Sequence, residues 1–230
     1  MLRFYLCLYI ALLWTSVSGA QFRIMIDPGH GGSDLGATRD SFIESKIVLS
    51  IADKLKAELE KENVEVVLTR ENDSHLSLQQ RVQMANENNA DLFLSLHANW
   101  SRSTQVSGFE FYFASQQNQS RGANESHLSK PDEIIEKIKA DLTLLGRQKL
   151  SLEFSQQAQQ QVADQKSVIR RAPFYVIETT TMPAVLIEVG FISNRREAKK
   201  LASPEYQSEI AALLTKSVLS YKQTTASYKQ

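Results

Sequence analysis

The sequence predicts an α/β domain: one mainly parallel, twisted sheet with helices on both faces. Three observations carry this reading. Short apolar runs recur along the chain, as strands do when a sheet is covered on both sides. Segments with apolar residues three and four apart separate those runs, as amphipathic helices require. No Pro/Gly-rich linker divides residues 21–221, so the alternating elements belong to one domain.

The elements follow in order. FRIMID (22–27) is a buried strand that runs into the tight loop Pro-Gly-His-Gly-Gly. Ile43, Ile47, Ile51, Leu55 and Leu59, with Val48 and Ala52 beside them, form a helical stripe over 43–61. VEVVLTR (64–70) is a second strand, and residues 77–88 are a helix through Leu78, Val82 and Ala85. DLFLSLH (91–97) and GFEFYF (108–113) are the third and fourth strands. A Ser/Gln/Asn-rich loop follows from Ala114 to about Lys130. Pro131 opens a helix in which Ile134, Ile138, Leu142 and Leu145 would dock on the domain. The Gln-rich residues 151–165 extend the helical region. FYVIE (174–178) and AVLIEVG (184–190) are the last strands. Ser203-Pro204 caps a closing helix that runs to about Tyr221, leaving 222–230 as a frayed tail.

Residues 1–20 stand apart. Arg3, the apolar run Phe4–Trp14 and the small residues Ser18-Gly19-Ala20 have the pattern of a signal peptide cut after Ala20, which leaves no stable membrane anchor. The one cysteine, Cys7, lies inside that segment. The mature chain therefore has neither a thiol nucleophile nor a Cys ligand for zinc. Lys plus Arg number 26 and so do Asp plus Glu, which argues against electrostatic capture of nucleic acid or an anionic membrane.

In an open α/β sheet, sites form at the carboxyl ends of the strands. His30 follows the first strand, His97 ends the third and Glu188 lies near the end of the last. Each histidine alone reads equally well as a hydrogen-bonded loop or strand-end residue. Glu44 sits on the shoulder of the apolar stripe of its helix, where a carboxylate is costly unless paired or metal-bound. A first-turn glutamate favoured by the helix dipole is the other reading. Two histidines and a glutamate are a ligand set for catalytic zinc, although these three are far apart in sequence. Glu188 lies between apolar residues of a buried strand. Burial would raise its pKa and suit it to general-base work, unless a distant arginine such as Arg70 or Arg81 pairs with it. His75 and His127 fall in polar segments and read as solvated, as do Arg170-Arg171 and Lys199-Lys200.

IDPGHGGSDLGA, Glu44 opening a helix, LTR (68–70), LSLQQRVQMAN, ADLFLSLHAN, SGFEFYF and MPAVLIEVGFISN together resemble the zinc-dependent N-acetylmuramoyl-L-alanine amidases of the type-3 fold. The motifs keep the family's order from about residue 22 to 220. The segment TRDSFIESK departs from the pattern in lacking a glycine and in placing Ser45 after the glutamate. The resemblance implies that His30, Glu44 and His97 bind Zn2+ and that Glu188 is the catalytic glutamate. It implies cleavage of the peptidoglycan amide between N-acetylmuramic acid and L-alanine, in cell-wall remodelling or daughter-cell separation. A zinc peptidase cutting within the stem peptide and a non-catalytic peptidoglycan-binding protein are the alternatives. The single signal and the lack of a wall-binding repeat point to the periplasm, with export to the medium as the other destination. In some relatives of this family the region matching 114–171 carries a helix whose acidic residue fills the open zinc position and keeps the enzyme off; the same arrangement here would call for an activator protein as partner. Glu133, Glu136, Asp141 and Glu153 are the acidic residues available here; a wall that faces the substrate is the other reading of this insertion.

Overall fold

The computed structural model describes residues 21–115 and 131–228. The predicted signal segment, Cys7 and His127 lie outside the described residues. Six strands form one sheet in the order β4-β1-β5-β8-β6-β7. They are β1 (Arg23–Pro28), β4 (Glu65–Leu68), β5 (Leu92–Asn99), β6 (Phe109–Ala114), β7 (Ser167–Ala172) and β8 (Ala184–Phe191). All pairings are parallel except β6 with β8. A two-stranded hairpin, β2 (Thr38–Arg39) and β3 (Phe42–Ile43), leads into helix α1 (Glu44–Lys61). The predicted α/β class therefore holds.

Side-chain alternation along the strands divides the core in two. Ile24, Ile26, Leu92, Leu94, Leu96, Val185 and Ile187 face α1, the C-terminal half of α3 (Pro131–Gln161) and α6 (Pro204–Tyr228). Met25, Phe93, Ala184 and Leu186 face α2 (Leu78–Glu87) and the single turn α4 (Tyr175–Glu178). On this second face the residue that follows each apolar position is polar towards the strand's carboxyl end: Asp27 on β1, Ser95 and His97 on β5, Glu188 on β8. The alternation thus gathers polar groups at one edge of an otherwise apolar surface.

Three expectations need correction. FYVIE is not a strand. Val176 and Ile177 are both buried, and consecutive residues cannot share one face of a strand, whereas one helical turn buries both. The sixth strand is SVIRRA (167–172), an edge strand whose Arg170 and Arg171 are exposed. Charged side chains of this kind are how edges avoid unwanted pairing. In α3, Ile134, Ile138, Leu142 and Leu145 do not dock; they are 43–63% exposed, and the helix is anchored instead by Phe154 and Ala158, with Val162 just beyond its end. The tail is not frayed from 222, because α6 continues to Tyr228 and Gln157 Nε2 donates to Thr224 Oγ1 (3.1 Å).

Candidate active site

The loop after β1 builds the site. Asp27 is buried and accepts from Thr69 Oγ1 (2.6 Å), Ser95 Oγ (2.9 Å) and Arg81 Nη1 (2.6 Å). Arg81 also donates to the carbonyls of Pro28 and His30, while Arg70 donates to those of Pro28, Gly29 and Ser45. Two buried guanidinium groups therefore clamp the backbone on either side of Gly29 and His30. Neither takes the part of a partner for Glu188 that a distant arginine could have played. Gly29 has no room for a side chain, since a Cβ there would lie 2.3 Å from the His97 ring.

His30, Glu44 and His97 converge, with one ligand-type atom from each within 4.8 Å of the others. Glu44 Oε1 lies 3.2 Å from His30 Nε2 and 2.9 Å from His97 Nδ1. Two backbone groups hold the carboxylate still: Ala98 N–H donates to Oε1 (3.0 Å) and Ala37 N–H to Oε2 (2.7 Å). Burial pushes the Glu44 pKa up, but hydrogen bonds and charge from His30 and His97 outweigh it and hold the carboxyl far below its usual range. The other nitrogen of His30, Nδ1, lies 2.8 Å from Asp34 Oδ2. Burial lowers the His30 pKa, yet Glu44 and Asp34 together raise it.

These groups fit a zinc ion. Zinc takes His nitrogen and carboxylate oxygen at about 2.0–2.2 Å in tetrahedral geometry, so its ligand atoms lie about 3–4 Å apart. A carboxylate on the far nitrogen of a ligating histidine, as Asp34 is placed, fixes ring and tautomer.

Glu188 is the register partner of His97 on the adjacent strand. It lines the same cavity of about 460 Å³ as His30 and His97, with Phe174, Tyr175 and Leu186 as apolar wall. Its Oε2 is buried without a hydrogen-bond partner among the described residues. Burial, then the charges of Glu44 and Glu110, push its pKa well above the ordinary carboxylate value. Glu110 on β6 is a site neighbour that sequence reasoning missed. It accepts from Asn99 Nδ2 (2.8 Å) and Tyr112 Oη (2.7 Å). The signal for it was available in the alternation of GFEFYF, which puts Glu110 and Tyr112 on the face opposite Phe109 and Phe111. His75, read as solvated, is exposed but belongs to the cavity rim. None of Glu133, Glu136, Asp141 and Glu153 lines this cavity.

An open, mainly parallel sheet with a His/Glu/His cluster and a buried carboxylate at its carboxyl edge defines an α/β protein built for hydrolytic chemistry. Its family follows from sequence: residues 24–220 match the N-acetylmuramoyl-L-alanine amidases, and the chain belongs to that family. It is 34% identical over 198 residues to the N-acetylmuramoyl-L-alanine amidase LytC of Bacillus subtilis, an alignment covering 86% of this chain and 35% of LytC. The chain thus spans about a third of that relative's length. The solved amidase AmiC2 of Nostoc punctiforme is 30% identical, with a TM-score of 0.68 over 88% of this chain and 97% of that one. The CwlD amidase of Clostridioides difficile, solved in complex with the GerS lipoprotein, is 26% identical, with a TM-score of 0.72 over 89% of this chain and all of CwlD (100%).

Proposed function

We propose that the protein hydrolyses the amide between N-acetylmuramic acid and the stem-peptide L-alanine of peptidoglycan, using zinc held by His30, Glu44 and His97. The convergence of these three residues beside the buried Glu188 carries the reading. Zinc, when bound, supplies a Lewis acid that acidifies water and polarises the scissile carbonyl. The residues do the rest. His30 presents Nε2 while its Nδ1–H donates to Asp34, and the backbone at Ala37 and Ala98 fixes Glu44. Glu188, the register partner of His97 and part of the same cavity wall, takes a proton from the attacking water. It then delivers that proton to the departing alanine nitrogen. Phe174, Tyr175 and Leu186 exclude bulk water from one side.

The signal-like residues 1–20 support action outside the cytoplasm, in the periplasm. No helix of the described residues is long and apolar enough to cross a membrane. Peptidoglycan is the partner this reading requires. An activator would be needed only if residues within 114–171 restrain the site. Metal analysis of purified protein tests the ligand set: one zinc per chain in the parent, and none retained by a folded His30→Ala/His97→Ala variant. Stoichiometric zinc in that variant would defeat the assignment.

A further inference from the structure

A second cavity, of about 520 Å³, opens at the same edge of the sheet and is larger than the one around His30 and His97. Three strand residues beyond Glu188, on the order of 10 Å at the rise of a β-strand, β8 ends at Phe191, and the turn that follows leads to Asn194 in the cavity wall. The β2–β3 hairpin just ahead of Glu44 supplies Arg39, and α5 (Arg195–Leu201) supplies Arg195, Arg196 and Lys200. Lys200, read from sequence as part of a solvated face, is exposed but contributes to this concave wall.

The charge in this cavity is one-sided. Among the described residues its one carboxylate, Glu197, is committed to the fold, with Oε1 accepting from Gly108 N–H (2.9 Å) and Oε2 from Phe191 N–H (2.8 Å). Arg39 donates to the Ser193 carbonyl, which fixes its guanidinium against the end of β8. Arg195 approaches Asp40 only at 3.9 Å, with both side chains largely exposed, so that pair neutralises little. Four cations thus line a cavity beside a chemical site whose own surroundings are apolar and carboxylate-rich. Clefts lined by one sign of charge concentrate ligands of the other.

We infer that this cavity binds carboxylate groups of the stem peptide during hydrolysis, an inference that rests on the amidase reading. The sugars of the glycan carry no charge at the scissile end, whereas the stem peptide brings its acidic groups with it. A guanidinium pair and an ammonium match carboxylate oxygens by charge-assisted hydrogen bonds. The cavity therefore holds the peptide side of the substrate and orients the amide over the His30/His97 cluster.

The test uses the zinc-loaded full chain and its Arg195→Gln/Arg196→Gln/Lys200→Gln variant, all three positions being exposed. Two soluble disaccharide-peptides are compared, one with free stem carboxylates and one with those carboxylates amidated. The expected result is a KM raised about tenfold for the free-carboxylate substrate, with kcat kept and the amidated substrate unaffected. Equal effects on both substrates, or none on either, would overturn the inference. Wall assayed before and after removal of its phosphate-bearing polymers separates the other source of oxyanions: a charge effect confined to polymer-bearing wall would assign the cavity to phosphate and overturn the stem assignment. If the parent cleaves neither substrate, the amidase reading fails separately. Calorimetric binding of free stem tripeptide to parent and variant still reads the cavity: loss of binding in the variant supports it, and equal binding overturns it.

Discussion

At Glu188, burial and the charges of Glu44 and Glu110 all favour the protonated acid. A carboxyl whose folded pKa is raised binds its proton more tightly folded than unfolded, so stability falls as pH rises above the ordinary value of 4.5 and levels off above the folded value. Glu188→Gln should therefore gain on the parent across that window in chelator-treated protein, with no such gain below it; a gap independent of pH would contradict the shift. The same variant should fold, bind zinc and lose about 10²–10⁴-fold in turnover, since that is the usual worth of a general base. Parent-like cleavage would remove Glu188 from that role. Asp27 and Arg81 form a nearly fully buried pair, so Arg81→Ala strands a charge and should cost about 3–5 kcal/mol in denaturant unfolding. Gly29→Ala, which pushes a Cβ into the His97 ring, should abolish stoichiometric zinc binding in a protein that still folds. The residues that carry these effects were unequally legible. His30, His97 and Glu188 could be found because strand ends are visible in sequence. The Arg81–Asp27 clamp and the Asp34 contact depend on how the loop after β1 closes, and the sequence bears no local mark of either.

Helix α3 divides into two physical halves. From Gln148 onward it is part of the core, where Ser151 Oγ accepts from Ala184 N–H and Phe154 packs edge-on to Tyr221. Ahead of that, Ile134, Ile138 and Leu142 project from the domain. Phe154→Ala should cost about 3–5 kcal/mol, whereas serine at Ile134, Ile138 and Leu142 together should change stability by less than about 1 kcal/mol; a large loss from the triple variant in urea unfolding would contradict the exposed placement. With no α3 carboxylate on the cavity wall, replacing residues 132–144 by a flexible linker should leave cleavage of soluble fragments unchanged. A rise would instead indicate restraint by this arm. Legibility also failed here, and for a physical reason. The apolar spacing of Ile134 to Leu145 is a sound helix signal, but spacing does not say whether a face is covered. Likewise FYVIE has strand composition yet forms a turn of helix, while SVIRRA, an exposed edge strand, carries no apolar alternation to mark it.

For the whole molecule, period-two alternation in β1, β5, β6 and β8 does two jobs at once. It seals a helix-covered core on one face and, near the strand ends of the other, substitutes Asp27, His97, Glu110 and Glu188 for apolar residues. The α/β class was readable because those apolar runs are short and separated by helical stripes, whereas the order of strands in the sheet was not. The convergence of His30, Glu44 and His97 was readable only with the help of family resemblance, since it arises from a loop, a helix start and a strand that pair far apart in sequence. The most direct test of the account is mass analysis of the products released from purified peptidoglycan by the zinc-loaded protein, with Glu188→Gln in parallel. The account predicts intact stem peptides with a free N-terminal L-alanine from the parent and almost none from the variant. Stems shortened within the peptide, or no release by the parent, would contradict it.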